Sequence, residues 1–284
     1  MMDAVRRLVK LGVVPHGMLF RDRRRGLVIL VYHRIGGGTG SPIDVPADAF
    51  ARQMAYLRDR YTMVSLDAVL DGTVPGGGPP AASDLVAVTF DDGHREVYEY
   101  AFPVLLKYRI PATIYLATRY VEAQRAFDFG DYAAGGGRPQ PLTWPQVRDM
   151  AASRLIQFGG HTHSHVDLTR LSLKAVRDEV DCNRRVIEER TGMAPRHFAY
   201  PWGRLTPSVK GIVGESFATA VRGGCRKNPY GHLDALALWR TPIQQSDGFW
   251  FFRLKLGSYL DGEEFFRTLA GRMRNGAPQR DGNR

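Results

Sequence analysis

The sequence predicts an α/β fold in which a mostly parallel sheet closes, or nearly closes, into a barrel. Several short runs are apolar throughout, which is typical of strands that are covered on both faces. These runs alternate with segments of helical periodicity, as parallel strands joined by helices require. The chain has 284 residues, of which 44% are hydrophobic and 24% charged, and α/β barrels commonly contain about 250 residues. Length and composition therefore favour one large barrel over two ordinary domains.

The elements can be assigned in order from the apolar runs and the residues that begin or end helices. Strands are expected at 27–32, 85–90, 113–117, 156–158, 197–200, 217–221 and near 238–241. Helices are expected at 3–14, 48–61, 96–108, 144–153 and 173–191. Thr143 and Pro145 mark the start of the helix at 144–153, and Gly192 ends the helix at 173–191. About seven βα units result, a number that suits a barrel.

The basic residues are concentrated at the two ends of the chain. The formal charge is +10, yet residues 1–26 carry seven basic and two acidic side chains, and residues 267–284 carry five and one. The body is nearly neutral, so a nucleic-acid groove, which needs clustered Arg and Lys, is not expected. We expect a basic helical extension over residues 1–26, a barrel domain over 27–270 and a basic disordered tail over 271–284. The basic ends favour solubility, with contact to an anionic membrane as the alternative.

The location and redox state can also be predicted. No run approaches the roughly 18 apolar residues that a membrane span needs. Residues 11–20 are interrupted by Pro15 and His16, so no secretion signal is expected. These observations predict a cytoplasmic protein, with peripheral contact at the inner face of the membrane as a further expectation. Cys182 and Cys225 are expected to be free and buried.

Polar residues of catalytic type follow the ends of several predicted strands. In parallel barrels the carboxyl ends of the strands form the rim on which active sites are built. Their agreement on one rim therefore predicts an active site there. These residues are His33, Asp91, Asp92, His161, His165, Tyr200, Pro201 and Trp202.

Two histidines and two aspartates of this set have the pattern of a metal-dependent hydrolase. His161 and His165 are four residues apart, so both imidazoles can face one point, and a carboxylate would complete a three-ligand zinc site with an open position. The alternative is a polar loop with surface histidines. Asp91 and Asp92 end a buried strand, where two carboxylates need a compensating cation or proton. One would bind the metal and the other would accept a proton; the alternative is an ordinary Asp-Asp-Gly turn.

Three strings carry a resemblance to a known family. VTFDDG at 88–93, HTHSH at 161–165 and FAYPWG at 198–203 resemble the polysaccharide deacetylases of carbohydrate esterase family 4, the NodB-homology fold. The flanking segments at 101–121 and 142–165 agree with it, and the resemblance covers about residues 27–245. It implies a distorted (β/α)7 barrel.

The resemblance also assigns roles to residues of the rim. Asp92, His161 and His165 would be the metal ligands and Asp91 the catalytic base, and the backbone N–H of Tyr200 would stabilise the oxyanion together with the metal. One divalent ion is implied, with zinc expected and cobalt, nickel or manganese as alternatives.

The sequence departs from most members of the family in two places. Ala199-Tyr200 replaces the Arg-Pro that begins the third motif, and no histidine follows His232 to act as the general acid. In both respects the chain resembles the poly-β-1,6-N-acetylglucosamine deacetylases, whose motif order is circularly permuted and whose acid histidine lies on the first strand. His33 would then be the general acid, or alternatively a structural histidine.

Five further residues near the predicted rim are also assigned. Pro201 and Trp202 are expected to border the substrate. Arg240 either orients Asp91 through an ion pair or is a plain structural arginine. His94 and His197 are expected to face solvent.

The expected function is hydrolysis of the N-acetyl amide of an amino sugar by a metal-dependent deacetylase. The alternatives are a deformylase or amidase that uses the same metal site, and an inactive glycan-binding module. A module would be expected to have lost one of Asp91, Asp92, His161 or His165, and all four are present. The predicted cytoplasmic location favours a small or lipid-linked acetylated amino sugar over an extracellular polymer.

Overall fold

The computed structural model describes residues 2–73, 83–129 and 139–261, with side chains from residue 6 onward. Twelve strands occur in this part of the chain. They are β1 (Gly26–Tyr32), β2 (Arg34–Gly36), β3 (Asp44–Pro46), β4 (Thr62–Met63), β5 (Leu85–Phe90), β6 (Ala112–Leu116), β7 (Ile156–Gly160), β8 (His197–Ala199), β9 (Thr219–Arg222), β10 (Asn228–Pro229), β11 (Leu238–Trp239) and β12 (Thr241–Pro242). The α-helices are α1 (Met2–Phe20), α2 (Ala47–Arg60), α3 (Leu66–Leu70), α4 (Phe102–Tyr108), α5 (Thr118–Ala123), α6 (Trp144–Ala152), α7 (Leu173–Thr191), α8 (Pro207–Ser216) and α9 (Gly248–Leu256).

The main sheet curls into a nearly closed barrel. Its strand order is β10-β1-β5-β6-β7-β8-β9-β11, with β12 also paired to β1 and β4 to β5. Every pairing from β1 through β9 to β11 is parallel, and β10 is antiparallel to β1. The barrel closes where β11 pairs with β9 and β12 pairs with β1, because only Arg240 separates these two short strands. The predicted barrel is confirmed, and the strand expected near 238–241 is divided at this seam.

Two apolar layers hold the barrel together. One cluster joins alternate residues of the strands, including Leu27, Ile29, Ala87, Tyr115 and Val221, and fills the interior. A larger cluster packs the outward residues of the same strands against the helices α2, α4, α6 and α9. Strands β1, β5 and β6 are buried along their whole length, as their uninterrupted apolar sequences predict.

The helix ends follow the local capping chemistry. The Thr143 side chain and the Gln146 side chain form a reciprocal capping box at the start of α6. Helix α7 begins after Ser172, whose hydroxyl accepts an N–H from Ala175, and ends at Gly192 in the left-handed conformation. Both predicted starts and the glycine end are confirmed.

Two predicted helices differ from the observed ones. Helix α1 continues through Pro15 to Phe20, six residues beyond the predicted end. Proline removes one hydrogen bond, but the packing of Val13 and Val14 against Phe251 holds the helix on the barrel. The helix expected at 96–108 is instead a π-helical turn followed by α4, which has a proline in its first turn.

Helix α1 is joined to the domain by a buried ionic cluster rather than by a solvent-facing basic surface. Lys10 is fully buried and donates to Asp247 at 2.5 Å and to Ser246 at 2.9 Å. Lys255 donates to the second Asp247 oxygen at 2.9 Å and to the carbonyl of Pro242. Burial acts to raise the pKa of Asp247, but the two ammonium groups outweigh it and lower that pKa.

The expectations for His197 and the cysteines are settled by burial. His197 does not face solvent: its Nδ1 lies 2.8 Å from the Thr219 hydroxyl and its Nε2 lies 3.2 Å from Asp67. His197 is the first residue of β8, which is buried along its whole length by neighbouring elements, and the local sequence did not reveal this cover. Both cysteines are free, Cys225 buried and Cys182 only partly so.

The predicted tail at 271–284 lies outside the described residues. None of the helices that the structure describes has the length and apolar character needed to cross a membrane.

Candidate active site

The carboxyl ends of β1, β5, β7 and β8 bring the predicted residues to one rim. His33 follows β1, Asp91 and Asp92 follow β5, and His161 follows β7. Asp91, Asp92, His161 and His165 are buried, whereas the His33 side chain is about a quarter exposed at 26%. The parallel register of these strands explains why residues distant in sequence meet here.

Asp92, His161 and His165 form the candidate metal centre. One ligand atom from each residue lies within 4.8 Å of the others. The Nε2 atoms of His161 and His165 lie 3.4 and 3.3 Å from the same Oδ1 atom of Asp92. Two imidazoles converging on one carboxylate oxygen match the donor set that zinc and similar divalent ions prefer.

Hydrogen bonds fix the orientation of the first imidazole. The Nδ1 of His161 lies 2.7 Å from the carbonyl oxygen of Ala199, which can only accept. Nδ1 therefore carries a proton, and Nε2 is the atom that faces Asp92, as in metal-binding histidines generally. Burial acts to lower the pKa of His161, but Asp91 and Asp92 outweigh it and raise that pKa in the metal-free chain.

The second imidazole is held by aromatic rings. The His165 ring is stacked on Phe129, with centroids 3.6 Å apart, and meets the edge of Trp202 at 4.6 Å. Burial lowers the pKa of His165 to about 3, although Asp92 opposes this effect. The ring is therefore neutral at pH 7, which is the form that binds a metal. The donor atoms of Asp92, His161 and His165 together thus fit a divalent cation.

His94 orients Asp92 from behind, contrary to the expectation that it faces solvent. The side chain is fully buried, with Nε2 3.2 Å from Asp92 Oδ2 and the ring 4.5 Å from Phe127. The prediction was wrong because Asp92 and Gly93 both adopt positive φ, 70° and 84°, which turns the chain back over the site. Burial acts to raise the pKa of Asp92, but His161 and His94 outweigh it and hold that pKa well below its usual range.

Asp91 has a different partner, the guanidinium of Arg240. Arg240 donates two hydrogen bonds to the two Asp91 oxygens, at 2.5 and 2.6 Å, and both side chains are buried. Burial acts to raise the pKa of Asp91, but Arg240 and His161 outweigh it and lower that pKa. Asp91 is therefore ionised and fixed in direction, so of the two alternatives for Arg240 the structure shows the orienting ion pair.

His33 lies beside this carboxylate on the open side of the rim. Its Nε2 is 3.9 Å from Asp91 Oδ2, too far for a hydrogen bond but close enough for electrostatic interaction. Burial lowers the pKa of His33, while Asp92 and Asp91 act in the opposite direction. The position agrees with either role predicted for this residue.

The third motif is placed differently from the expectation for Tyr200. The Tyr200 N–H donates to the Val221 carbonyl in the β8–β9 ladder, and its hydroxyl donates to the Leu236 carbonyl. Tyr200 as the oxyanion donor is therefore wrong, because the register of β8 against β9 already uses this N–H. Pro201 is buried beside it. Trp202 has a φ of 54° and is 48% exposed. Its backbone N–H makes no hydrogen bond within the described residues.

The site concentrates unusual backbone conformations. Asp92, Thr162, His165 and Trp202 all adopt positive φ, between 54° and 70°. Such conformations are uncommon for residues other than glycine, and they cluster where surrounding contacts enforce a functional geometry. All four belong to the three motifs found in the sequence.

Asn183 supports the histidine loop and was missed in the sequence. Its side-chain N–H groups donate to the carbonyls of Leu116 and Thr162 and to the Thr118 hydroxyl. The signal was a lone amide at a position of α7 whose other buried residues are mainly aliphatic. His163 points away from the cluster, and its Nδ1 lies 3.0 Å from the Thr118 hydroxyl.

Comparisons with known proteins agree with this geometry. The sequence model of the polysaccharide deacetylase family matches residues 78–216. A poly-β-1,6-N-acetyl-D-glucosamine N-deacetylase of Escherichia coli K12 is 32% identical over 146 residues, covering 49% of this chain and 21% of that protein. A putative polysaccharide deacetylase of Bacillus subtilis, YxkH, is 28% identical over 63% of this chain and 57% of its own. The chain thus spans only part of these curated relatives.

Solved structures show the same fold. IcaB from Ammonifex degensii is 27% identical, with a TM-score of 0.70 over 83% of this chain and 97% of its own. The Streptococcus pyogenes deacetylase PplD gives a TM-score of 0.69 at 22% identity, over 83% and 99%.

The barrel and its rim place the chain in the class of NodB-type deacetylase folds. Within that class, residues 78–216 match the polysaccharide deacetylase family, and the curated relatives that resemble the chain are named as deacetylases.

Proposed function

We propose that the chain hydrolyses the N-acetyl amide of an N-acetylated amino sugar, releasing acetate and a free amine. The observation that carries this proposal is that the two adjacent aspartates have different partners. Asp92 faces two imidazoles at 3.3–3.4 Å, whereas Asp91 is clamped by Arg240 and faces the open rim. One carboxylate is arranged to bind a cation and its neighbour to accept a proton.

The metal site would be formed by Asp92, His161 and His165, and zinc fits their donor atoms best. A bound divalent ion would polarise the acetyl carbonyl and lower the pKa of the attacking water. The chain's own side chains and backbone would accept the proton of water, stabilise the oxyanion and protonate the leaving nitrogen.

The reaction balances with three groups of the protein. Water adds to the acetyl carbon while Asp91 accepts its proton, and the carbonyl oxygen gains negative charge. The backbone N–H of Trp202 makes no hydrogen bond within the described residues, and the ring of the same residue contacts His165, so this N–H would stabilise the oxyanion. His33 would give a proton to the nitrogen as the carbon–nitrogen bond breaks, so that acetate and amine leave.

Two relatives support the sugar class. The curated matches from E. coli and Staphylococcus aureus are named poly-β-1,6-N-acetyl-D-glucosamine N-deacetylases, at 32% and 23% identity. We therefore propose β-1,6-linked N-acetylglucosamine, in a chain or attached to a lipid, as the substrate class. A cytoplasmic location stays part of this proposal.

The test is acetate release from N-acetylglucosamine oligomers with β-1,6 and β-1,4 linkages. Chelated protein is compared with protein supplied with zinc, cobalt, nickel or manganese. We expect metal-dependent release, lost in Asp91→Asn and Asp92→Asn and kept in Asp178→Asn, an exposed carboxylate on α7.

Three other results would count against the proposal. Turnover of N-formyl substrates alone would favour the deformylase alternative. Absence of turnover by folded protein with every metal and acceptor would favour a binding module. Unchanged turnover by Asp91→Asn would refute the assigned base.

A further inference from the structure

The outer face of α1 is apolar although it faces solvent. Leu8, Leu11, Met18, Leu19 and Phe20 are each between 50% and 75% exposed. Positions 8, 11, 18 and 19 recur at helical spacing and form one stripe. The opposite face, with Lys10, Val13, Val14 and Gly17, is buried on the barrel. An exposed helix normally places polar residues where this one has its second apolar face.

Helix α9 packs against the buried face of α1 and carries an exposed tryptophan. Trp250 is 52% exposed, and its ring lies 4.8 Å from the ring of Phe251. Phe251 packs in the same cluster as Val13 and Val14 of α1. Tryptophan combines an apolar body with a polar N–H, a combination that is enriched at membrane–water boundaries.

A cationic cavity lies at the end of the stripe. It has a volume of about 200 Å³ and begins one residue after Phe20. Four cations and two carboxylates line it, so its charge is positive by two. The lining is formed by Arg21, Asp22, Arg23, Arg25, Asp84, Lys227 and Gly257. An apolar stripe that ends in a cationic cavity matches the order of acyl chains and anionic headgroups at a lipid surface.

Charge argues against a second copy of the chain as the occupant of this surface. A two-fold interface would place the same patch on itself. The cationic cavity at the end of the stripe is positive by two, so two such patches would repel each other. An anionic bilayer meets the apolar stripe and the cations with complementary groups.

We propose that α1, with Trp250 and the cationic cavity, docks the domain onto an anionic lipid bilayer. The helix lies in the surface and does not cross it, since α1 contains several charged residues and its Lys10 is bonded into the barrel. Leu19 and Phe20 enter the boundary between headgroups and acyl chains, while Arg23 and Arg25 contact the anionic headgroups.

The experiment measures binding of the full chain to vesicles without any glycan. Vesicles of phosphatidylcholine are compared with vesicles that also contain phosphatidylglycerol. We expect wild type to bind the anionic vesicles more tightly and to be released by salt. The double variant Leu19→Ser, Phe20→Ser should bind them about a hundredfold more weakly, because two large apolar side chains are lost.

Two further variants separate charge from general surface effects. Arg23→Gln with Arg25→Gln should weaken binding to anionic vesicles about thirtyfold and leave binding to phosphatidylcholine unchanged. Leu173→Ser with Met193→Ser is the matched control, since these side chains are 54% and 56% exposed outside the proposed surface. This control should bind like wild type, and all variants should melt at the wild-type temperature.

Several outcomes would overturn the proposal. These are equal binding of the stripe variant and the control, no preference for anionic vesicles, and dimerisation of wild type that Leu19→Ser, Phe20→Ser abolishes without vesicle binding. Because no glycan is present, failure here leaves the proposed deacetylase activity untouched.

Discussion

The ion pair between Asp91 and Arg240 should be among the strongest single interactions in the domain. The two side chains are joined by two short hydrogen bonds and each is only 4% exposed. Replacing Arg240 by Met leaves a buried carboxylate without its partner, and Asp91→Asn leaves a buried guanidinium. Each change should lower the free energy of unfolding by about 3–5 kcal/mol.

A double-mutant cycle isolates the interaction from other effects of each substitution. The double variant Asp91→Asn, Arg240→Met buries no unpaired charge, so its free energy of unfolding should fall by less than that of either single variant. The coupling should then be at least about 3 kcal/mol, measured by urea unfolding at pH 7. The exposed pair Arg177–Glu215 is the control, with side chains 49% and 53% exposed. Its cycle should give at most about 1 kcal/mol.

The same pair sets a pH dependence whose sign can be stated. The pKa of Asp91 is lowered in the folded chain, so its contribution to stability is present above the ordinary carboxyl pKa and is lost as the pH falls through the folded pKa. In Arg240→Met, burial is no longer outweighed by the guanidinium. The acid limb of activity should therefore move to higher pH. A coupling below about 1 kcal/mol, or an unmoved acid limb, would refute this reasoning.

Three other predictions concern metal affinity and the support of the fold. His94→Phe should weaken zinc binding by about 10- to 100-fold while the protein stays folded, measured by chelator competition, because the neighbouring aspartate loses its orienting partner; unchanged affinity would contradict this role. Gly17→Ala should lower the free energy of unfolding by about 1–3 kcal/mol, since its Cβ would lie 1.9 Å from a main-chain oxygen. Gly12→Ala in the same helix is the control: its Cβ would meet nothing within 4 Å, and it should raise the free energy of unfolding by up to about 1 kcal/mol. Asp247→Asn should lower the melting temperature more than Lys10→Met, because it leaves two buried ammonium groups while Lys10→Met leaves a neutral pair; the reverse order would exclude the ionic explanation.

The barrel could be predicted because the uninterrupted apolar composition of its strands is typical of strands that are buried on both faces. Strand β5 was placed at its observed ends, since six consecutive apolar or small residues fit a sheet covered on both faces. The sequence predicts helix α7 equally well, since Gly192 marks its end chemically. Strand ends in a parallel barrel share one rim, so the set of candidate residues followed from the order of elements alone.

The errors arose where tertiary contacts decide the outcome. Positive φ at Asp92 and Gly93 turns His94 into the site, and nothing in the local sequence reports that turn. The N–H of Tyr200 is used by a strand pairing whose register only the folded barrel defines. Helix α1 passes through Pro15 because packing outweighs the lost hydrogen bond.

The orientation of Asp91, the candidate base, also depends on the seam of the barrel. Arg240 is the single residue between β11 and β12, and these two-residue strands close the sheet against β9 and β1. Asp91 is therefore held in its reactive direction only while β11 and β12 stay in place. A small opening of residues 238–242 would release the carboxylate and leave the rest of the barrel standing. Activity should consequently disappear at milder heat or denaturant than the global transition, because the pairing of β11 and β12 holds the candidate base in place.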